Sequence, residues 1–186
     1  MSRFEVSEMP LAGVKRVMRR PMGDARGFFS RLFCADELAA AGWIWPVAQI
    51  NHSYTAQASA VRGMHYQHPP HAEAKLVTCL RGRVWDVAVD LRAGSPTFLQ
   101  WCAQELSAEN HAALLIPPGC AHGFQTLSED VELLYAHSAP YAPSADAGLN
   151  PQDPRLGIRW PLPVGTISDK DVQRPLLAAD FRGLQP

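Results

Sequence analysis

Apolar and polar positions alternate in short runs along most of the chain, and turn residues interrupt those runs often. The alternation has a period of two, which is the signature of half-buried strands. Val14–Met18 is the first such run, closed by Arg19-Arg20-Pro21, and Gly23–Gly27 reads as a loop. Phe28–Phe33, Trp45–Tyr54, Thr97–Leu106, Ala112–Ile116 and Val131–Tyr135 are further strands. Between Leu76–Leu80 and Arg83–Arg92 stands only Arg81-Gly82, so this pair reads as a β-hairpin. Ala35–Ala41 is the best helix candidate, with Asp36 as an early acid and Gly42 as a stop. Beyond Ser138 the chain is proline-rich and irregular. Many short strands in one modest length predict an all-β jelly-roll sandwich with a few short helices, one domain over residues 1–186.

Composition narrows the class. With 47% hydrophobic residues the chain can bury a sizeable core, and a formal net charge of -1 gives no electrostatic case for nucleic acid or an anionic membrane. No apolar run is long enough to span a bilayer, and the N-terminus lacks the apolar stretch of a signal peptide. Cys34, Cys79, Cys102 and Cys120 are scattered without a paired motif, which points to a reducing cytoplasm.

The chemistry concentrates in Val61–Arg92. Its first half, through Arg62, His65, His68, His71, Glu73 and Lys75, is dense in groups that move protons or bind anions. In the second half Asp86 and Asp90 share a strand face with Val84 and Ala88, while Trp85, Val87, Val89 and Leu91 share the other. Two carboxylates on one face are costly to bury unless paired, so that face should be solvated or line a polar pocket. Lys75, one strand away, is placed to face the same pocket.

Arg62-Gly63-Met64-His65-Tyr66-Gln67, Ala74-Lys75-Leu76-Val77, Asp86–Arg92, Ser95-Pro96-Thr97-Phe98, Asp24–Phe29, Leu106–Asn110, Ile116–Phe124 and Ser168-Asp169-Lys170-Asp171 together resemble the signature blocks of the dTDP-4-dehydrorhamnose 3,5-epimerase family, in the family's order and across nearly the whole chain. The resemblance implies a cupin-type jelly roll, usually a homodimer. It implies a metal-free, cofactor-free isomerase of a nucleotide-diphosphate sugar, acting through an enolate at C3, C5 or both in deoxysugar biosynthesis.

The resemblance also implies roles. His65 matches the general base, a task for which histidine's ordinary pKa suits it. Asp171 matches the carboxylate that holds the far imidazole nitrogen. Lys75 matches the cation at the enolate oxygen, and Tyr135 the acid on the opposite face. His122 and Asp86 match pocket positions that orient or contact the sugar. Arg26 and Arg62 match the holders of the diphosphate, for which guanidinium forks are suited. Gln49, Asn51 and Ser53 match neutral polar contacts to nucleotide and sugar, and Tyr141 an aromatic near the base or sugar. Gly119 and Gly123 read as turn residues.

Three departures stand out. Arg31 takes the place of a glutamate that commonly contacts the nucleoside. Asn150-Pro151-Gln152-Asp153-Pro154 replaces a tryptophan-led motif, and Ala136-His137-Ser138 replaces Lys-Thr-Thr after the tyrosine. They bear on the sugar, the nucleotide and the carbon attacked. A metal-dependent cupin is the rival enzyme, since His65, His68, His71, Glu73 and His122 could ligate. The His-x-His spacing such a site wants is absent, and Pro69-Pro70 breaks the run. A non-catalytic nucleotide-sugar binding module would need the arginines but not His65, Lys75 and Tyr135.

Overall fold

The computed structural model describes residues 2–185. Thirteen strands and two short helices occur in it: β1 Phe4–Glu8, β2 Lys15–Arg19, β3 Met22–Asp24, β4 Gly27–Phe29, α1 Ala35–Ala39, β5 Gln49–Thr55, β6 Val61–Gln67, β7 Lys75–Arg81, β8 Arg83–Asp90, β9 Trp101–Ser107, β10 Ala112–Ile116, β11 Cys120–Thr126, β12 Val131–His137, β13 Asp146–Gly148 and α2 Asp169–Val172. A six-stranded sheet, in the order β1-β2-β10-β7-β12-β5, lies against a five-stranded sheet, β13-β6-β11-β8-β9. Every pairing within them is antiparallel. The β3–β4 hairpin stands apart as a third, two-stranded sheet. The predicted all-β jelly roll is the observed architecture.

Alternation places the inner-face side chains. Val77, Cys79, Leu114, Ile116 and Leu133 of one sheet meet Val84, Ala88, Leu106, Cys120 and Phe124 of the other in one buried cluster. Both sheets are covered outside as well. Leu38 and Trp43, from α1 and the loop after it, pack on Val17, Leu76, Leu115 and Ala136. The irregular chain beyond Ser138 supplies Leu149, Leu156, Leu177 and Leu184, which cover Val87, Val89 and Leu91.

The expected hairpin between Leu76–Leu80 and Arg83–Arg92 is not formed. β7 pairs with β10 and β12, whereas β8 pairs with β9 and β11 in the opposite sheet. Gly82, at φ +70°, turns the chain from one layer to the other, and a Cβ there would lie 2.7 Å from Ser128 Oγ. A period-two pattern does not say which sheet a strand joins, because inward residues stay inward in either. Lys75 therefore faces the β8 side across the sandwich.

The acidic face of β8 is likewise neither solvated nor a pocket wall. Asp86 and Asp90 are fully buried on the inter-sheet face. Asp90 is satisfied by Arg92, whose Nε donates at 2.8 Å, and by the hydroxyls of Ser95 and Thr97. Asp86 meets His122.

Gly123 is no turn residue but the centre of β11. A Cβ there would sit 2.6 Å from Met64 Sδ and 2.8 Å from the Arg62 carbonyl oxygen. β6 and β11 thus approach closely where their register shifts. Other boundaries moved modestly: the helix ends at Ala39, and the strands predicted from Phe28, Trp45 and Thr97 run Gly27–Phe29, Gln49–Thr55 and Trp101–Ser107.

Candidate active site

A cavity of about 410 Å³ opens between the sheets, lined from β5, β6, β7, β11 and β12. His65, Lys75, His122, Tyr135, Arg62, Gln49, Asn51, Ser53 and Tyr141 all line it. Nine of the twelve residues singled out in the sequence therefore converge, although they span residues 49 to 141.

His65 and His122 are register partners on β6 and β11, so their rings leave the same face. Each has a carboxylate behind it. Asp171 Oδ1 lies 2.6 Å from His65 Nε2, and Asp86 Oδ1 lies 2.8 Å from His122 Nε2. Asp171 is delivered by α2, whose first turn is capped by Ser168: the Asp171 N–H donates to Ser168 Oγ at 3.1 Å. The Gly63 N–H donates to its other oxygen at 3.3 Å. Burial pushes the Asp171 carboxyl up, but the bond and charge of His65, with the Gly63 and Ser168 contacts, hold it below its ordinary value. An ionised Asp171 accepts from Nε2–H, which leaves the Nδ1 lone pair of His65 free. Asp86 behaves otherwise. Burial raises it against the pull of His122 and Lys75, and its Oδ2 has no partner among the described residues. It supports His122 from beneath and does not line the cavity.

The other sheet supplies the complementary groups. Tyr135 Oη lies 3.0 Å from Ser53 Oγ, and burial raises its phenol above the ordinary value, so it rests protonated. Lys75 Nζ is held 2.9 Å from Glu73 Oε1 and donates to the His65 carbonyl oxygen at 3.2 Å. Both members of that pair are buried. Arg62, exposed at the mouth, donates to Thr55 Oγ1 at 3.2 Å and to the Tyr54 carbonyl at 3.4 Å. Among the described residues it has no carboxylate partner.

Arg26 is not brought to this cavity. It sits at the tip of the β3–β4 hairpin, bound to Asp24 at 2.5 Å with its side chain 90% exposed. Arg31 is also elsewhere, paired with Glu37 of α1. Glu73, His137, Gln67 and Lys170 line the cavity without having been assigned sugar contacts. For His137 a signal existed: it follows Tyr135 by two on a strand and must share its face. Glu73, two residues before Lys75 but outside β7, was marked only by its place in the same polar stretch. Of the donors a metallocupin would recruit, Glu73 has both carboxylate oxygens engaged, by Lys75 and Gln67. Among the described residues no three such side chains are grouped as a metal set.

Fold and cavity together define the class: a cupin-like jelly roll that gathers His65, Lys75, His122 and Tyr135 from both of its sheets around one cavity. A family model described as dTDP-4-dehydrorhamnose 3,5-epimerase matches residues 8–179. The dTDP-4-dehydrorhamnose 3,5-epimerase of Sinorhizobium fredii is 44% identical over 174 residues, covering 91% of this chain and 87% of that one. The crystal structure of the Bacillus anthracis dTDP-4-dehydrorhamnose 3,5-epimerase with TDP and pyrophosphate superposes with a TM-score of 0.90 at 40% identity, covering 94% of this chain and 99% of that one. A 3′-monoepimerase from Streptomyces bikiniensis, in complex with dTDP-quinovose, gives 0.84 at 35% identity, covering 90% and 85%. The chain belongs to the dTDP-4-dehydrorhamnose 3,5-epimerase family.

Proposed function

We propose that this chain epimerises the sugar of a dTDP-linked 4-keto-6-deoxyhexose at C3, C5 or both, through an enolate, as a step of deoxysugar biosynthesis. The observation that carries the reading is the placement of the proton-transfer groups. His65 comes from the five-stranded sheet and Tyr135 from the six-stranded sheet, with the cavity between them. A sugar ring lying there offers one face to each.

His65 Nδ1 removes the proton α to the ketone, and the C–H electron pair moves onto the C4 oxygen. The Lys75 ammonium, itself buried, stabilises that oxyanion. Asp171 keeps Nε2 protonated and offsets the imidazolium charge. Tyr135 then delivers its proton to the opposite face of the carbon, and solvent restores both groups. Phenols are weak acids, but an enolate carbon accepts a proton strongly enough. His122 and Ser53 orient, and Arg62, unpaired with any carboxylate, meets the diphosphate. Gln49, Asn51 and Tyr141 extend the contacts toward the nucleotide.

The working unit in this reading is a homodimer in the cytoplasm, each chain one domain. Met22, Phe28 and Phe29 on the small hairpin are exposed, as are Ile50 and Tyr54 on the edge strand β5. Apolar surface of this kind favours a protein contact. Such a contact would bring Arg26, paired in its own chain with the neighbouring Asp24, to a diphosphate in the partner's cavity. The four thiols are unpaired, which suits a reducing compartment.

The test is turnover of dTDP-4-keto-6-deoxyglucose in deuterated water, followed by NMR. Deuterium at C3, C5 or both, with inversion at the labelled carbon, supports the reading and sets the regiochemistry. Binding of the substrate with neither label nor inversion would refute it in favour of a binding module.

A further inference from the structure

His137 occupies the cavity beside Tyr135, at one of the positions where this chain departs from the family's usual residues. Its register partner on β7 is Lys75. Directly opposed residues on neighbouring strands hold their Cβ atoms roughly 5 Å apart on the same face. The imidazole and the ammonium therefore enter the cavity side by side.

A chain of hydrogen bonds sets the tautomer of this ring. The Tyr141 main-chain N–H donates to Gln49 Oε1 at 2.9 Å. A main-chain amide can only donate, so Gln49 must present its oxygen there and its nitrogen on the other side. Gln49 Nε2 donates to Asn51 Oδ1 at 2.9 Å. Asn51 is thereby turned so that its Nδ2 faces His137 Nε2, at 3.4 Å. An amide nitrogen offers no lone pair, so Nε2 must accept and the ring proton resides on Nδ1. Among the described residues no protein group accepts from Nδ1, and it is not one of the polar atoms sealed from solvent.

We propose that His137 touches the substrate: its neutral imidazole donates Nδ1–H to the same sugar oxygen that Lys75 faces. The inference rests on the reading of Lys75 given above. Burial, and then the charge of Lys75, hold the ring's pKa down to about 4, with Glu73 pulling weakly the other way and His122 adding to the depression. The ring is thus uncharged at neutral pH. A neutral imidazole is a useful electrophile beside a developing enolate. It shares the oxyanion's charge without placing a second cation against Lys75. It also leaves the Glu73–Lys75 pair undisturbed.

The experiment combines imidazole ¹⁵N NMR of the full chain with kinetics of His137→Ala, His137→Asn and Lys75→Ala. The expected spectrum shows His137 protonated on Nδ1 alone at pH 7. His137→Ala should slow deuterium exchange at saturating dTDP-4-keto-6-deoxyglucose by on the order of 100- to 1000-fold, the scale for loss of one oxyanion donor. Its affinity for dTDP should not change. His137→Asn, whose amide can reach the place of Nδ1–H, should recover part of the rate. A proton on Nε2, an imidazolium at pH 7, wild-type exchange in His137→Ala, or a matching loss of dTDP affinity would each overturn the assignment. Lys75→Ala separates the two levels. If Lys75→Ala is slow while His137→Ala is unimpaired, only the His137 assignment falls. If Lys75→Ala exchanges at the wild-type rate, the oxyanion reading falls with it.

Discussion

Replacing Asp171 by asparagine should nearly abolish turnover while leaving the fold in place. Asp171 is 3% exposed and uses both carboxylate oxygens, one on His65 Nε2 at 2.6 Å and one on the Gly63 N–H at 3.3 Å. An asparagine has one acceptor and one donor end. With its oxygen on Gly63, its NH₂ faces His65 and forces Nε2 to accept. The proton then sits on Nδ1, and the base has no lone pair in the cavity. With the amide reversed, two donors meet at Gly63. Either way the imidazolium formed on proton removal loses its counter-charge. Loss of the carboxylate in a histidine–aspartate pair costs about 10⁴-fold where the geometry survives, or about 5 kcal/mol of barrier. A drop of about 10³- to 10⁴-fold is expected here for both epimerisation and α-hydrogen exchange. The accompanying loss of stability, one buried charge-assisted bond, is about 1.5–3 kcal/mol. Because the Asp171 carboxyl is held low, that contribution is complete above the ordinary carboxylate pKa and disappears as pH falls through the lowered value. It is therefore fully present at pH 7, where deuterium exchange by NMR and thermal unfolding should be measured. If Asp171→Asn retained exchange within about tenfold of wild type, the tautomer argument would be refuted.

Tyr135→Phe should still form the enolate, since His65 and Lys75 are intact, and His65 can return a solvent deuteron to the original face; the ratio of exchange to inversion, read by NMR, should rise well above wild type, and inversion at the wild-type rate would place the acid elsewhere. Gly123→Ala should destabilise the protein by about 1–3 kcal/mol, lowering Tm by several degrees in calorimetry, because its Cβ would meet Met64 and the backbone of Arg62 and Gly63; an unchanged Tm would mean that β6 can shift freely. Asp90 is raised by burial but brought down to about 2 by Arg92, Ser95 and Thr97, so its stabilisation, about 2 kcal/mol, is present above about pH 4 and fades as pH falls toward 2. Asp90→Asn should therefore lose stability at pH 7 and flatten the acid limb of a urea-unfolding series, and an unaltered limb would assign that limb to other carboxylates.

What the chain determined by itself was local: where strands lie, which faces are apolar, and which residue types carry chemistry. Val131–Tyr135 and Ala112–Ile116 were legible because β-branched and aliphatic runs bounded by turns have few alternatives. β6 and β11 were not legible as strands. Their glycine, histidine and glutamine positions serve the cavity and a close approach of two backbones, and so they lack the usual strand composition. His65, Lys75 and Tyr135 were singled out through resemblance to a family's motifs. That the sheet holding His65 is not the sheet holding Lys75 and Tyr135 was decided only by tertiary structure. Strand partners are non-local choices, and a two-residue turn such as Arg81-Gly82 can close a hairpin or cross between layers with the same inward and outward residues. The burial of Asp86 and Asp90 followed from that crossing, because it laid the other sheet over their face. His137 shows the same division. Its shared face with Tyr135 is written in the spacing, but its place beside Lys75 exists only because β12 pairs with β7.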